Sequence, residues 1–209
     1  MAGPGGLAPA QVSVADKKQP RLAVVLTGPW VKEEKRGPRL ALALIQSQRF
    51  DWVVEKSVEL GASALFPLVT ERVKSGDARP GPAKHERWRR LAEEARKQCG
   101  RSSALDIQPV RALAELATLP GPGLFLSPSG PTGFPADILA SPLLVVGPEG
   151  GLSRAEEKIL AEAGFQPWSL GRTILRAETA ALAALSIAMG ESARASSTGC
   201  DKSPKFQTD

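Results

Sequence analysis

Tyrosine is absent from this chain of 209 residues, and histidine occurs once, as His85. The lack of tyrosine excludes phenol chemistry and the stacking of bases on tyrosine rings. One histidine is too few for a His-rich metal site and gives almost no basis for a Ser-His-Asp hydrolase. Because His85 stands between Lys84 and Glu86 at a charged helix start, we expect it to be a solvated surface residue. We therefore expect no metal centre.

Cysteine is scarce as well, with only Cys99 and Cys200 in the chain. Two distant cysteines make neither a disulfide framework nor a CxxC metal site, which fits a reducing compartment. No run reaches the ~20 apolar residues of a membrane span, and the N-terminus lacks the pattern of a secretory signal. We therefore expect a cytoplasmic protein without a membrane partner. Cys99 is expected on the apolar face of its helix, as a small hydrophobic residue.

The chain has 27 Lys and Arg against 22 Asp and Glu, which gives a formal net charge of +5. A basic balance favours a polyanionic partner such as nucleic acid. The basic residues are spread over amphipathic helices, however, so a solvated surface explains them as well. Charge alone leaves both interpretations open.

Short apolar runs alternate with helical patterns along most of the chain. Strands that are apolar on both faces, such as LALALI at 40–45 and LLVVG at 143–147, are typical of a parallel sheet covered by helices. The sequence therefore predicts an α/β fold. Residues 1–20 and 195–209 show no periodicity and are predicted to be disordered tails. Other strands are predicted at 22–27, 64–69, 106–110, 123–127 and 167–170, and helices at 50–60, around 88–99, around 113–116, after 153 and at 177–193.

A glycine-rich loop, GPEGG at 147–151, follows a buried strand and precedes a helix. Ser153 and Glu156 have the spacing of a capping box, and Gly164 ends that helix. In α/β folds, ligands bind at the carboxyl ends of strands and beside the free N–H groups of helix N-termini. The loop therefore either holds a small polar ligand or is a plain turn that needs positive φ. It is neither a Walker A nor a GxGxxG sequence.

A second loop lies within SLGRTILRAETAALAAL, at 169–185, before an Ala-rich helix. It contains Gly171, Arg176, Glu178 and Thr179. Glu178 or Thr179 can simply cap the helix or complement its dipole. Alternatively, the two loops face each other across one pocket, because each follows a short apolar strand.

The segment at 143–185 resembles the C-terminal half of the RsmE family, the uracil-N3 methyltransferases of 16S ribosomal RNA in the SPOUT class. It reads LLVVGPEGGLSRAEEKILAEAGFQPWSLGRTILRAETAALAAL. Upstream segments are similar to the same family in order and spacing, namely RFDWVVEKSVELGASALFPLVTERV at 49–73, WRRLAEEARKQCGR at 88–101 and DIQPV at 106–110. The resemblance covers roughly residues 38–190. Motifs combined at consistent separations are far more specific than GPEGG alone.

The resemblance implies a SPOUT methyltransferase domain over residues 38–194, a parallel sheet flanked by helices with a C-terminal deep trefoil knot. Such knots are rare, so periodicity alone does not predict one. S-adenosyl-L-methionine is the implied cofactor, and the implied assembly is a homodimer whose partner chain completes each active site. The implied reaction methylates N3 of a uridine in 16S ribosomal RNA, free or in the small ribosomal subunit. The implied cofactor-binding residues come from three loops and are Leu126, Ser127, Pro128, Gly147, Pro148, Glu149, Gly150, Gly151, Leu170, Gly171, Ile174, Leu175 and Arg176.

The chain departs from the family pattern in several places. Family members carry an N-terminal β-barrel of PUA type that helps to grip RNA, whereas here only 22–27 matches its last strand. Residues 21–37 are therefore expected to be a remnant of that barrel or a linker. Gln46-Ser47-Gln48 replaces the usual Pro-Lys-Gly, Ser127 replaces a common histidine, and Arg172-Thr173 replaces Pro-Arg.

Methylation of uracil N3 requires an unpaired base, loss of the N3 proton and an in-line approach to the methyl group. Arginine cannot act as the base, so Arg176 and Arg101 are assigned to the developing uracil anion or to phosphate. Glu178 is the nearest carboxylate for the role of base, although a first-turn glutamate also serves the helix dipole. Arg101, Glu71 and Arg72 are the candidate RNA contacts, and Glu71 and Arg72 can equally form an ordinary loop ion pair.

Two other functions stay open: a noncatalytic ribosomal RNA-binding or assembly protein that keeps the cofactor pocket, and a methyltransferase of another RNA.

The final helix gives a prediction about the oligomeric state. Its apolar face at Ala181, Leu182, Leu185 and Met189 exceeds what one side of a knot is expected to bury, which independently predicts a homodimer.

Overall fold

The structure is a computed structural model. It describes residues 2–3, 6–8, 10–16, 21–29, 31–32, 37–74, 76, 80–119, 121–138 and 141–198. Of the disordered tail predicted at 195–209, the part at 195–198 was wrong, because the final helix extends to Thr198. Residues 199–209, including Cys200, lie outside the described residues.

The N-terminal part forms short antiparallel strands. Strand β3 pairs with β4, and β1, β2 and β5 form a second small sheet. These strands are β1 (Ala2–Gly3), β2 (Gly6–Leu7), β3 (Ala10–Asp16), β4 (Arg21–Leu26) and β5 (Val31–Lys32). The strand predicted at 22–27 is confirmed as β4, but the disorder predicted for 1–20 was wrong for the strand residues. AQVSVAD alternates apolar and polar residues with the period of a strand, and the surrounding Gly and Pro concealed it. The assignment of 21–37 to a barrel remnant or linker stays a prediction.

A seven-stranded parallel sheet forms the centre of the remaining chain, in the order β12-β10-β11-β6-β7-β8, with β9 also paired to β7. The predicted α/β class with a parallel sheet is confirmed. The predicted knot stays a prediction, because strand order does not define threading. The strands are β6 (Arg39–Ala43), β7 (Ala64–Val69), β8 (Asp106–Ile107), β9 (Arg111–Ala112), β10 (Gly123–Leu126), β11 (Leu143–Val146) and β12 (Gln166–Trp168).

Helices cover both faces of this sheet. They are α1 (Ser47–Glu59), α2 (Pro82–Gln98), α3 (Arg154–Glu162) and α4 (Ala177–Thr198), with a 3-10 helix at Leu113–Thr118. The strand predicted at 106–110 is shortened to Asp106–Ile107, which fits Pro109 because proline has no N–H for the ladder. Within the described ranges, no helix combines the length and the apolar character needed for a membrane span.

Alternate residues of the central strands are buried on opposite faces of the sheet. Leu40 and Leu144 pack into the layer formed with α1, α2 and α4. Ala41 and Val145 pack into the layer that contains Leu160 of α3 and the 3-10 helix. This two-sided burial explains why the strands are apolar at every position.

Helix α2 packs on α1 through Trp88, which is fully buried. Its indole Nε1 donates to Asp51 Oδ1 at 3.0 Å, and its ring centroid lies 4.5 Å from that of Phe50. Cys99, however, is exposed, so its predicted place on the apolar face was wrong: α2 ends at Gln98 and the helical spacing stops there. The prediction for His85 also needs correction, because this residue is half-buried with Nε2 3.0 Å from the Gln108 carbonyl oxygen.

The apolar face of α4 packs inside the chain. Ala181 and Leu185 have no exposed surface, and Leu182 and Met189 are half-buried. Met189 lies so close to Gly61 that a Cβ there would be 2.8 Å from its Cε. The argument that this face exceeds what one chain can bury was therefore wrong. The homodimer stays a prediction that rests on the family resemblance.

The predicted capping box at the start of α3 is confirmed, and it reaches beyond the helix. Ser153 Oγ accepts from Glu156 N at 3.2 Å, and Glu156 Oε2 accepts from Ser153 N at 2.8 Å. The other carboxylate oxygen, Oε1, accepts from the backbone N–H of Glu71 at 2.8 Å. Because Glu156 is buried, one carboxylate ties the loop after β7 to the loop after β11.

Glu156→Gln is expected to lower the free energy of unfolding by about 1–3 kcal/mol. An amide has one acceptor oxygen, so either Ser153 or Glu71 N–H would face an NH₂ donor in a buried site. The measurement is urea unfolding at fixed pH. Glu162→Gln is the control, since this exposed carboxylate lies 3.7 Å from Lys158 and its loss should cost under ~0.5 kcal/mol. Equal unfolding midpoints for the two variants would contradict the role of Glu156.

Candidate functional site

Three loops meet where the neighbouring strands β10, β11 and β12 end. Because these strands are parallel and adjacent, their carboxyl ends lie on the same edge of the sheet. The loops enclose a cavity of about 420 Å³. The residues to which the resemblance assigns cofactor binding line this cavity, with the exception of Arg176. The predicted loops therefore converge on one space, and their contact with a cofactor stays a prediction.

The lining of this cavity, called here the first cavity, combines an apolar floor with charged side chains. Val146, Trp168 and Ala177 are buried residues of the floor, and Phe134 supports Trp168 with an edge-on ring contact at 5.3 Å. Glu149 and Glu157 line the cavity together with Arg72 and Arg172, so charged groups of both signs are present. An apolar ring and groups that donate hydrogen bonds fit such a surface. The sequence did not identify this floor, although Val146 and Trp168 lie within predicted strands and end the observed strands β11 and β12.

Gly147 is required where the first cavity meets the backbone. A Cβ at this position would lie 2.9 Å from both the carbonyl carbon of Gly151 and the backbone nitrogen of Leu152. Gly151 has a φ of +70°, a conformation that favours glycine, and a Cβ there would meet no protein atom within 4 Å. The loop therefore needs glycine for close approach at Gly147 and for backbone conformation at Gly151.

Arg72 holds the glycine-rich loop in place. Its Nη1 donates to the carbonyl oxygens of Gly150 at 2.6 Å and Leu152 at 3.2 Å. These are charge-assisted hydrogen bonds, which are stronger than neutral ones. The neighbouring Glu71 has an exposed side chain, and its backbone N–H binds Glu156. Contact of Glu71 and Arg72 with RNA stays a prediction, and Arg72 has in addition a role in shaping the first cavity.

A second cavity of about 370 Å³, shallow and largely open to solvent, lies beside the first. The two cavities share a wall, because side chains alternate along the segment that precedes and opens α4. Leu175 and Ala177 line the first cavity, whereas Arg176 and Glu178 line the second. The remaining residues of the second cavity are Gln48, Arg49, Trp52 and Thr179.

Arg49 connects the two cavities electrostatically. Its Nη1 lies 3.3 Å from Oε1 of Glu149 in the glycine-rich loop, and its Nε lies 3.6 Å from Oε1 of Glu178. Glu178 is a buried carboxylate, with 7% exposure. Arg49 is the first residue of the RFDWVV segment, and no motif in the sequence assigns it a role. A contact between residues 100 positions apart leaves no local pattern in a single sequence.

Arg101 lines neither of these two cavities. Its Nη1 donates to the carbonyl oxygen of Val58 at 3.1 Å, and its Nε donates to Ser103 Oγ at 2.9 Å. These bonds join the end of α1 to the loop after α2. A contribution of Arg101 to the site of a partner chain stays a prediction.

Comparisons with known proteins agree with this architecture. Residues 32–189 match the family model described as RNA methyltransferase domain. The ribosomal RNA small subunit methyltransferase E (RsmE) of Synechocystis sp. is 36% identical over 163 residues, which cover 70% of this chain and 50% of that protein. RsmE of Bacillus subtilis is 32% identical over 174 residues, which cover 75% of this chain and 68% of that protein.

A solved structure of an RsmE protein is also similar to this chain. The crystal structure of RsmE from Neisseria gonorrhoeae bound to S-adenosyl methionine superposes with a TM-score of 0.71 at 30% identity, covering 88% of this chain and 78% of that one. The chain spans half the length of the Synechocystis relative and about two-thirds of the Bacillus subtilis one. With the family model matched over most of its residues, the chain belongs to the RNA methyltransferase family that includes the RsmE proteins.

Proposed function

We propose that this protein transfers a methyl group from S-adenosyl-L-methionine to N3 of a uridine in 16S ribosomal RNA. The observation that carries the proposal is the first cavity, where three loops meet at the carboxyl edge of a parallel sheet. Family membership supports the assignment, since several similar proteins are ribosomal RNA small subunit methyltransferases. We place the reaction in the cytoplasm, on free RNA or the small ribosomal subunit, with a homodimer of the 38–194 domain as the active form.

The residues of the first cavity fit the parts of this cofactor. The apolar floor at Val146, Trp168 and Ala177 suits the adenine ring. Glu149 and Glu157 can accept hydrogen bonds from hydroxyl or amino groups of the cofactor. When bound, the cofactor supplies an electrophilic methyl group. The protein's task is then to orient the target base and to remove its proton.

The second cavity contains the side chains that we assign to binding and deprotonating the target uracil. Glu178 is the proposed acceptor of the N3 proton, which must leave as the new bond to the methyl carbon forms. Arg176 presents an exposed guanidinium that can stabilise the charge developing on the uracil oxygens. Arg101 of a partner chain, together with Glu71 and Arg72, is proposed to contact RNA.

Gly147→Ala is expected to weaken binding of S-adenosylhomocysteine at least about tenfold, measured by calorimetry. The added Cβ would lie 2.9 Å from backbone atoms, so the loop that lines the cavity must shift. Gly81→Ala is the matched control, because its φ is −70° and a Cβ there meets nothing within 4 Å. Tight binding by Gly147→Ala would contradict the assignment of the first cavity to the cofactor.

Incubation of the protein with S-adenosyl-L-methionine and small-subunit RNA or subunits should yield 3-methyluridine, measured by mass spectrometry of the digested nucleosides. Transfer RNA at the same concentration is the control substrate and should stay unmodified. Cofactor binding without transfer to any RNA would favour a noncatalytic RNA-binding or assembly protein. A methyl group on transfer RNA would overturn the proposed substrate.

Arg176→Lys is expected to lower the single-turnover transfer rate about tenfold or more with little change in cofactor affinity. Lysine keeps the charge but loses the planar fork that can contact a base anion at two points. Cofactor affinity should stay unchanged, because Arg176 lines the second cavity rather than the first. Reduced cofactor binding with an unchanged rate at saturation would make Arg176 structural, and catalysis would need another residue.

A further inference from the structure

We infer that the second cavity is the subsite for the target base, where Trp52 is the stacking surface and Arg49 positions Glu178 to recognise an imide N–H. This inference rests on the proposed function and extends it to the residues that distinguish one base from another. Arg49 and Trp52 belong to α1, and neither has been assigned a role in the reaction above.

Glu178 is a buried carboxylate with too few partners. Its Oε1 lies 3.6 Å from Arg49 Nε, beyond hydrogen-bonding distance, and its Oε2 has no hydrogen-bond donor among the described residues. A buried carboxylate without donors is costly, and the dipole of α4 compensates only part of this cost. Arg49 keeps the carboxylate in place by an ion pair rather than a hydrogen bond, so an oxygen of Glu178 is left to accept from a donor that enters the cavity. A ligand N–H would supply the missing bond.

Trp52 gives the cavity a flat apolar surface. It is 45% exposed, and among the described residues it is the only exposed aromatic ring. Trp88 and Trp168, in contrast, are buried in the core. An exposed indole beside charged groups is well suited to stack on an unpaired base, since stacking tolerates water at the edges of the ring.

The polar groups of the cavity form a pattern that matches uracil. Glu178 accepts hydrogen bonds, and Arg176 and Gln48 can donate them in the same cavity. The pairing edge of uracil presents an acceptor, the N3–H donor and a second acceptor, which complements donors around a carboxylate. Cytosine presents an acceptor at N3, which a carboxylate repels. Arg49 and Arg176 outweigh Glu178 in charge, which favours an anionic nucleotide.

Arg49 is the positioning residue of this arrangement. It contacts Glu178 on one side and Glu149 of the glycine-rich loop on the other. The guanidinium therefore bridges Glu149, which lines the first cavity, and Glu178, which lines the second, and holds the Glu178 carboxylate at a fixed place relative to the glycine-rich loop. Its loss should affect recognition of the base through Glu178, without direct contact between Arg49 and the reacting atoms.

The test follows the tryptophan indole N–H signals of the ¹⁵N-labelled protein, assigned with single Trp→Phe variants. S-adenosylhomocysteine should shift the signal of Trp168, which lines the first cavity. Uridine 5′-monophosphate added next should shift the signal of Trp52, and affinities follow from the titration. Cytidine 5′-monophosphate and 3-methyluridine 5′-monophosphate, which lack the N3–H donor, should bind at least about tenfold more weakly.

Variants separate recognition from a structural role. Arg49→Met should reduce the preference for the uridine over the cytidine nucleotide about tenfold, and Arg49→Lys should restore part of it. Arg89→Met is the control, because Arg89 is exposed on α2 and lies 3.8 Å from Glu86. Equal weakening of both nucleotides by Arg49→Met would make Arg49 merely structural and overturn its positioning role.

The proposed function and the base subsite fail in different ways. If S-adenosylhomocysteine does not shift the Trp168 signal, the proposed function is overturned. If the Trp168 signal shifts but no nucleotide shifts the Trp52 signal, the proposed function stands and the base subsite is overturned. Equal affinity for the uridine and cytidine nucleotides in the unmodified protein would overturn recognition by Glu178.

Discussion

The buried carboxylate of Glu156 is the interaction on which the candidate site depends. Its two oxygens accept hydrogen bonds from the backbone N–H groups of Ser153 and Glu71, each with an N···O distance of 2.8 Å. These bonds hold the loop after β11 against the loop after β7. Arg72 is then in position to donate to the carbonyl oxygens of Gly150 and Leu152. The glycine-rich loop is thus shaped by groups far away in sequence. Its own glycines only make that shape accessible.

A second constraint is the shared wall at the start of α4. Alternating side chains turn Leu175 to the first cavity and Arg176 and Glu178 to the second, so adjacent positions have separate tasks. Binding of a cofactor and recognition of a base can then be altered independently by substitution. Arg49 limits that independence, because it contacts Glu149 and Glu178 at once. A methyltransferase needs such coupling, since the methyl group and its acceptor atom must be aligned.

Features set by local sequence or by two-sided burial were predictable. The parallel sheet follows from strands that are apolar at every position, and the capping box follows from the spacing of Ser153 and Glu156. Features set by distant contacts were not. The bridge made by Arg49 joins residues 100 positions apart, and the burial of the α4 face depends on packing against the rest of the chain. Strand β3 was missed because its alternation stands among Gly and Pro residues.

Mapping of modified nucleotides in cells is the decisive test of the proposed methylation of a uridine in 16S ribosomal RNA. Nucleotides of small-subunit RNA would be mapped in cells with the gene, without it, and with the gene restored. An N3-methyl group removes the donor on the pairing edge of uridine, so the modified position is distinguishable by mass and by reverse transcription. If this protein is the methyltransferase, a 3-methyluridine should disappear when the gene is removed and return when it is restored. Identical maps in all three strains would show that this protein does not methylate small-subunit ribosomal RNA.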